Sequence, residues 1–391
     1  MNDRPYLGRR VLAGVGLGPP VRLAPRSALL VVGPTQSGKT SSLVVPALLR
    51  WGGPAVVVSV KGDVVAATRP WRERLGVVQV LEPGREGGLT WDPLEGVRDL
   101  RGALRAARDL TLAPGRADAE FWNALATKLV AGVMTLALER GETVFEVAAA
   151  LAGDLEGYAR VARPGPARTL VADLLGHDGR TVDGVVTTAE AMLAPWQLPQ
   201  PLARVGPTLE GPHTLYLCAP RADQRHYEPL FRGALRRVLE LQQRRSERGD
   251  AEALLVVLDE AAHVASLDEL DQLAATVSGL GVTLVTVVQD FAQLRARFGE
   301  RASTIVNNHA TRVVLTGLAD PSAVRYLPEL APRERPRPSG REGSPTRAPS
   351  DLRTRRPGRA VVVAGHRPAH EVALVPWWRQ RALRPRGVAR G

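Results

Sequence analysis

The segment Gly33-Pro34-Thr35-Gln36-Ser37-Gly38-Lys39-Thr40 constrains this chain more than any other, because it fits G-x-x-x-x-G-K-[ST] at every fixed position. An apolar run, Ser27–Val32, precedes it and reads as a buried strand. Ser41–Arg50 follows with helical spacing, which Pro46 is expected to kink or end. Strand, glycine-rich turn and helix together make an anion cradle. The glycines allow the tight turn and let backbone N–H groups face phosphate, and the helix N-terminus adds positive potential. Gly33, Pro34, Thr35, Gln36, Ser37, Gly38, Lys39, Thr40 and Ser41 are therefore the expected nucleotide-binding residues. Lys39 is expected on the β- and γ-phosphates and the Thr40 hydroxyl on magnesium, with ATP and Mg2+ as ligands.

Further apolar runs follow at Ala55–Val60 and Val77–Leu81, and strand–helix–strand spacing predicts a parallel sheet with helical crossovers. Between Asp92 and Pro199 the texture turns Ala- and Leu-rich, with helical spacing over Leu100–Leu112, Ala119–Arg140, Val144–Leu151, Arg168–Leu175 and Val182–Leu193. Strand patterns then return at Thr214–Cys218, Leu254–Leu258, Thr283–Val288 and Thr311–Leu315. The expected fold is α/β, one sheet interrupted by a helical insertion. The organisation reads as residues 1–94 and 200–331 for a split nucleotide-binding domain and 95–199 for the all-helical insertion. A flexible Arg/Pro-rich linker follows over 332–359, then C-terminal strands and a basic tail over 360–391.

The run Leu254–Leu258 ends in Asp259-Glu260. Acids leaving a buried strand lie at the edge where open α/β sheets bind ligands. Asp259 is expected to hold Mg2+ and Glu260 to act as general base toward the attacking water. Gln289 ends the next apolar strand, with Asp290 as a helix N-cap. It either senses the γ-phosphate or is a plain strand-end amide. Lys61 and Asp63 leave a strand at the same expected edge, as ligand contacts or as solvated turn charges. Arg312 is one candidate among 49 arginines for an interface-acting cation, and His309, without metal-ligand spacing, reads as structural. Trp51, Trp71, Trp91, Trp122 and Trp196 are too dispersed to read as a base-stacking platform.

Charge narrows the partner classes only after it is localised. The net charge is +12, but residues 331–391 carry 15 Arg against 4 acids, which leaves the preceding 330 residues close to neutral. A basic tail of this kind binds phosphate backbones or an anionic membrane surface, or is solvated without a partner. The lone cysteine, Cys218, excludes an internal disulfide. No stretch is expected to reach membrane-spanning length, since Arg50 interrupts the best candidate, Leu43–Val60.

Taken in order, these motifs resemble the TraG/TraD-type coupling proteins of type IV secretion and conjugative DNA transfer, in their actinobacterial form. The likeness runs through G-P-T-Q-S-G-K-T, S-V-K-G-D at Ser59–Asp63, T-R-P-W-R-E-R-L-G at Thr68–Gly76, W-D-P-L at Trp91–Leu94 and F-W at Phe121–Trp122. It resumes at T-L-Y-L-C-A-P (Thr214–Pro220), L-D-E-A-A-H-V-A (Leu258–Ala265), the Q-D-F-A-Q-L strand end within Gly281–Leu294, R-F-G (Arg297–Gly299) and N-N-H (Asn307–His309). The resemblance implies a RecA-like P-loop NTPase domain with an inserted all-α domain. It also implies a homohexamer around DNA with ATP at subunit interfaces, and a helical domain facing a relaxase. Two departures matter. Relatives usually begin with a membrane-spanning domain, whereas about 26 residues precede the first strand here, so membrane placement is expected only through partners. The interface arginine of many relatives is replaced by Val277-Ser278-Gly279, which leaves Arg312 and Arg325 as weak substitutes.

The resulting expectation is an ATPase, cytoplasmic or peripheral at the inner face of the cell membrane. It would couple hydrolysis to recruitment and translocation of single-stranded DNA or a relaxase–DNA complex toward type IV secretion channel components. A hexameric DNA pump outside conjugation and a nucleotide-switched recruitment adaptor are the alternatives.

Overall fold

The computed structural model describes residues 4–11, 18–59, 62–111, 119–219, 223–260, 269–318, 357–365, 367 and 369–386. Lys61, Arg325, the A-A-H-V-A stretch after Glu260 and the linker up to residue 356 lie outside the described residues.

The strands are β1 (Tyr6–Arg10), β2 (Pro20–Arg22), β3 (Ala28–Val32), β4 (Ala55–Ser59), β5 (Val78–Leu81), β6 (Thr90–Trp91), β7 (Leu202–Ala203), β8 (Thr214–Cys218), β9 (Leu254–Leu258), β10 (Val282–Val288), β11 (Thr311–Leu315), β12 (Arg359–Ala364) and β13 (His370–Ala373). Eleven of them form one sheet in the order β2-β1-β13-β12-β11-β3-β10-β9-β4-β8-β5, and β6 pairs with β7 separately. From β11 through β3, β10 and β9 to β4 all neighbours are parallel, so their C-terminal ends share one edge. Every residue of β3, β4, β9 and β10 is buried, and all four are near-continuous runs of Val and Leu. That is the composition of strands covered on both faces. From β11 outward to β2 the pairing is antiparallel.

The chain divides into two compact units. The first comprises Met1–Val78, Thr208–Tyr216 and Leu241–Gly391; the second comprises Gln79–Pro207 and Leu217–Glu240. The second is built around the 22-residue helix Ala119–Arg140, which packs against the helices Leu100–Asp109, Val144–Ala152, Pro166–Leu175 and Gly179–Met192. Side-chain caps start several of these helices, including Asp99, Asp154 and Asp178, and Thr143 with Glu146 forms a capping box. Gly132 lets the central helix approach closely, since a Cβ there would stand 2.6 Å from Val171 Cγ2. Glu95 ties the stem of this unit together: its carboxylate accepts from Trp91 Nε1 (2.9 Å), Val205 N (2.9 Å) and Gly206 N (3.1 Å).

Three expectations are corrected by the structure. Ala119–Arg140 is long and apolar enough to cross a bilayer, although no stretch was expected to be; 56% of its most apolar window is buried inside the protein. Pro46 does not end the helix after the cradle. Thr40–Val44 form a wide turn in which Val45 N–H reaches back to Thr40 O, and Val45–Arg50 then continues with Pro46 in its first turn, where its missing N–H costs little. The basic tail is also not solvated throughout: as far as residue 386 it packs on the fold. Trp377 and Leu383 are buried against Val45, Leu49 and Ala67, with Trp71 packed alongside. Arg386 Nη1 donates to Leu49 O at 3.1 Å, and its guanidinium lies 4.6 Å from the Trp71 ring centre. Arg50 Nη2 donates to Gln380 Oε1 at 2.7 Å.

Candidate nucleotide site

The site is the C-terminal edge of four adjoining strands. Val32 is level with Val288, and Gly33 N–H still donates to Val288 O at 3.3 Å, so the cradle and Gln289 leave the sheet side by side. Leu258 is level with Thr286 on β10 and with Val58 on β4. Asp259 extends that ladder by one bond, its N–H on Val58 O at 2.9 Å. Gln289 thus leaves the strand lying between the cradle strand β3 and the acid strand β9.

Within the cradle, Gly38 has φ +88° and Gln36 has φ +60°, the left-handed turns that bring successive N–H groups round to one side. A Cβ on Gly33 would stand 2.8 Å from Leu315 Cβ and 3.0 Å from Ser37 Oγ. Lys39 is 8% exposed and its ammonium donates to Gly33 O (2.5 Å) and Pro34 O (2.7 Å) within the loop. Ser37 Oγ is buried with no hydrogen-bond partner among the described residues. An orphaned hydroxyl in a loop of inward N–H groups beside a held ammonium fits a polyphosphate.

Asp259 and Glu260 are both buried, at 2% and 8% exposure. Asp259 Oδ2 accepts from Ser59 Oγ at 3.4 Å, a contact joining the ends of β4 and β9 across 200 residues of sequence. Glu260 has φ +61°, a conformation costly for a residue with a Cβ and held here by the strand end. A buried carboxylate pair at the end of a parallel strand, on the edge that carries the cradle, is chemically suited to a hard divalent cation and to proton abstraction from water.

The Gln289 backbone is locked by a residue whose role went unread in the sequence. Gln289 N–H donates to Gln293 Oε1 (3.0 Å), while Gln293 N–H donates to Asp290 Oδ1 (2.6 Å) and Asp290 caps the helix Phe291–Phe298. The signal was an acid followed three residues later by Gln ahead of a helix, the pattern of a reciprocal cap. His309 is fully buried with both ring nitrogens engaged, Nδ1 with Ile305 O (2.6 Å) and Nε2 with Thr286 Oγ1 (2.9 Å). Burial pushes its imidazole down to about 4, so the ring is neutral. Arg312 is level with Leu30, two residues short of the ligand edge. Asp63 is half-buried in the first turn of the helix Gly62–Arg72, with Oδ1 accepting from Val64 N at 2.9 Å.

A parallel sheet carrying this cradle and acid pair on one edge, together with a helical unit, defines a RecA-like P-loop NTPase with an all-α domain. Two solved forms of the conjugative coupling protein TrwB superpose well. The unbound form of TrwBdeltaN70 gives a TM-score of 0.72 at 20% identity over 94% of this chain and 89% of that one. The form in complex with ADP and Mg2+ gives 0.71 at 21% over 95% and 90%. Residues 15–153 match the family described as "Type IV secretory system Conjugative DNA transfer", and residues 253–355 that described as "TraM recognition site of TraD and TraG". Over these two stretches the chain is similar to the TraG/TraD-type coupling proteins. Conjugal transfer protein TraG of Escherichia coli is 27% identical over 333 residues, 72% of this chain and 51% of that protein. The chain therefore spans about half the length of the curated relatives it matches.

Proposed function

We propose that this chain is the ATP-hydrolysing motor of a conjugative DNA-transfer apparatus. The observation that carries the reading is the alignment of the cradle, Asp259-Glu260 and Gln289 at the ends of β3, β9 and β10 on one sheet edge. Lys39 neutralises phosphate charge, and Thr40 and Asp259 would hold Mg2+. The cation would supply charge neutralisation at the β- and γ-phosphates. Glu260 takes the proton from the attacking water, and Gln289 senses the γ-phosphate. TrwB, a coupling protein solved with ADP and Mg2+, supports these ligands for this chain. Residues 95–199 serve as the helical insertion that faces substrate, a relaxase or single-stranded DNA. The working form is a homohexamer reaching the membrane through secretion-channel partners.

The test is ATP hydrolysis measured with and without single- and double-stranded DNA, with particle mass followed by light scattering. DNA-stimulated turnover that Lys39→Ala abolishes is the expected result. DNA-independent, negligible hydrolysis by the wild type would instead mark a nucleotide-switched adaptor. Hydrolysis at the wild-type rate by Lys39→Ala would refute the site.

A further inference from the structure

Away from the nucleotide edge, the first unit gathers cations around Tyr6. Tyr6 on β1 is the direct cross-strand partner of Arg22 on β2. Arg50, the last residue of the helix Val45–Arg50, lies over the same Tyr6 ring, its guanidinium carbon 5.3 Å from the centre. Arg386 approaches the same helix end, bonded to Leu49 O. Two guanidinium atoms here, Arg22 Nη1 and Arg50 Nε, are buried and have no hydrogen-bond partner among the described residues. The cations acting on Tyr6 are Arg9, Arg50 and Arg22, and those acting on Arg50 are Arg22 and Arg386. Burial first, then Arg22 and Arg386, hold the Arg50 guanidinium below its usual range.

Such an arrangement is unfavourable as it stands. Buried guanidinium N–H groups without acceptors lose their hydration uncompensated, and like charges at close range repel. A structural arginine avoids both costs, as Arg72 does by donating to Thr214 Oγ1, Trp51 O and Gly53 O. Arg50 is anchored through Nη2 on Gln380, which leaves its buried Nε without an acceptor among the described residues. The missing component is an anion, and the planar forks of two arginines match a tetrahedral oxyanion.

We propose that Arg22 and Arg50, with Arg386 behind them, form a phosphate-binding site separate from the nucleotide cradle. A phosphate oxygen accepts from Arg22 Nη1 and another from Arg50 Nε, and the dianion cancels the repulsion between the cations. The bearer of the phosphate is a phospholipid headgroup or a small soluble phosphate.

The experiment uses the full chain and inorganic phosphate as probe, titrated against chloride at constant ionic strength, with the thermal midpoint as readout. Because phosphate also fits the cradle, the parent is Lys39→Ala. Phosphate is expected to raise the parent's midpoint saturably, and adding Arg22→Gln is expected to weaken the apparent affinity about tenfold, the worth of one charge-assisted bond. In chloride alone Arg22→Gln is expected to melt no lower than the parent, since the Arg22 side chain gives up no hydrogen bond to the described residues. A phosphate response indifferent to Arg22, or a chloride midpoint that falls with Arg22→Gln, overturns the proposal. Sedimentation with phosphatidylcholine vesicles, with and without phosphatidic acid, separates the two bearers. Arg22-dependent capture by the acidic vesicles assigns a lipid headgroup, and an Arg22-dependent phosphate response without capture assigns a soluble phosphate.

Discussion

Leu383→Ala tests whether the C-terminal segment is part of the nucleotide domain. Leu383 is fully buried in a small core with Val45, Leu49, Ala67 and Trp377. The substitution removes three carbons from that core, worth about 2.4 kcal/mol at about 0.8 kcal/mol per carbon. The residual cavity brings the loss to about 3 kcal/mol. The segment is short and its amides bond locally, Leu383 N to Gln380 O and Arg386 N to Leu383 O, so the loss should appear first as local opening. About 3 kcal/mol corresponds to exchange faster by about two orders of magnitude. Hydrogen exchange read by mass spectrometry over residues 376–386 is the assay, with the peptide covering β10 as internal reference. Leu383→Met, which conserves volume, should cost less than about 1.5 kcal/mol and leave most of the protection. Wild-type exchange over 376–386 at the unprotected rate, or rates unchanged by Leu383→Ala, would refute the packing argument and return the segment to a solvated tail.

Other consequences follow from the buried polar groups. His309 is neutral when folded but binds a proton near pH 6.5 when unfolded. Its contribution is full above about pH 6.5 and is lost as pH falls toward about 4, by up to about 3 kcal/mol. Denaturant midpoints across that window should lose this slope in His309→Gln. Asp92 runs the other way. Burial raises its carboxyl to about 6, so its contribution is greatest in acid and is lost as pH rises from about 4 to about 6. Asp92→Asn should therefore stabilise the chain by about 2 kcal/mol at pH 7.5 and by little at pH 4, read by the same midpoints. Gln293→Ala should lower kcat for ATP about fivefold with little change in KM, the worth of one bond holding the Gln289 backbone, and Gln293→Glu, which keeps the acceptor, should recover part of it.

The parallel core was legible because β3, β9 and β10 are short, wholly buried runs of Val and Leu bounded by turn residues. Once those strands are parallel, the residues following each must share an edge, so the candidate site could be listed without knowing any distance. What escaped reading is long-range or lacks a period. The Ser59–Asp259 contact depends on β4 pairing with β9, and no local pattern announces that partner. The edge strand β2 and its neighbour β1 share a register shift between Tyr6 and Gly8, where Gly8 adopts φ +125°, and β1 ends in the exposed Arg9 and Arg10, so the alternation marking a half-buried strand is broken. The apolar length of Ala119–Arg140 was hidden by Lys128 in its middle, which is exposed while its flanking turns are buried.

The structure also changes how the positive charge can be tested. Fifteen arginines follow Ala331, and several are committed to the fold: Arg359 lies 3.8 Å from Glu371, Arg384 Nε donates to Trp378 O, and Arg386 closes on Leu49 O. Truncation after Arg379 removes exposed charge, but it also removes Gln380, Leu383 and Arg386, which brace the helix that follows the cradle. Weaker binding of DNA or vesicles by such a truncation would then be explained equally by a loosened nucleotide domain. Gln substitutions at the exposed Arg379 and Arg381 leave that packing intact. A salt slope that becomes shallower by about one for each lost phosphate contact assigns the charge to binding, because a packing defect alters affinity without altering the number of counterions released.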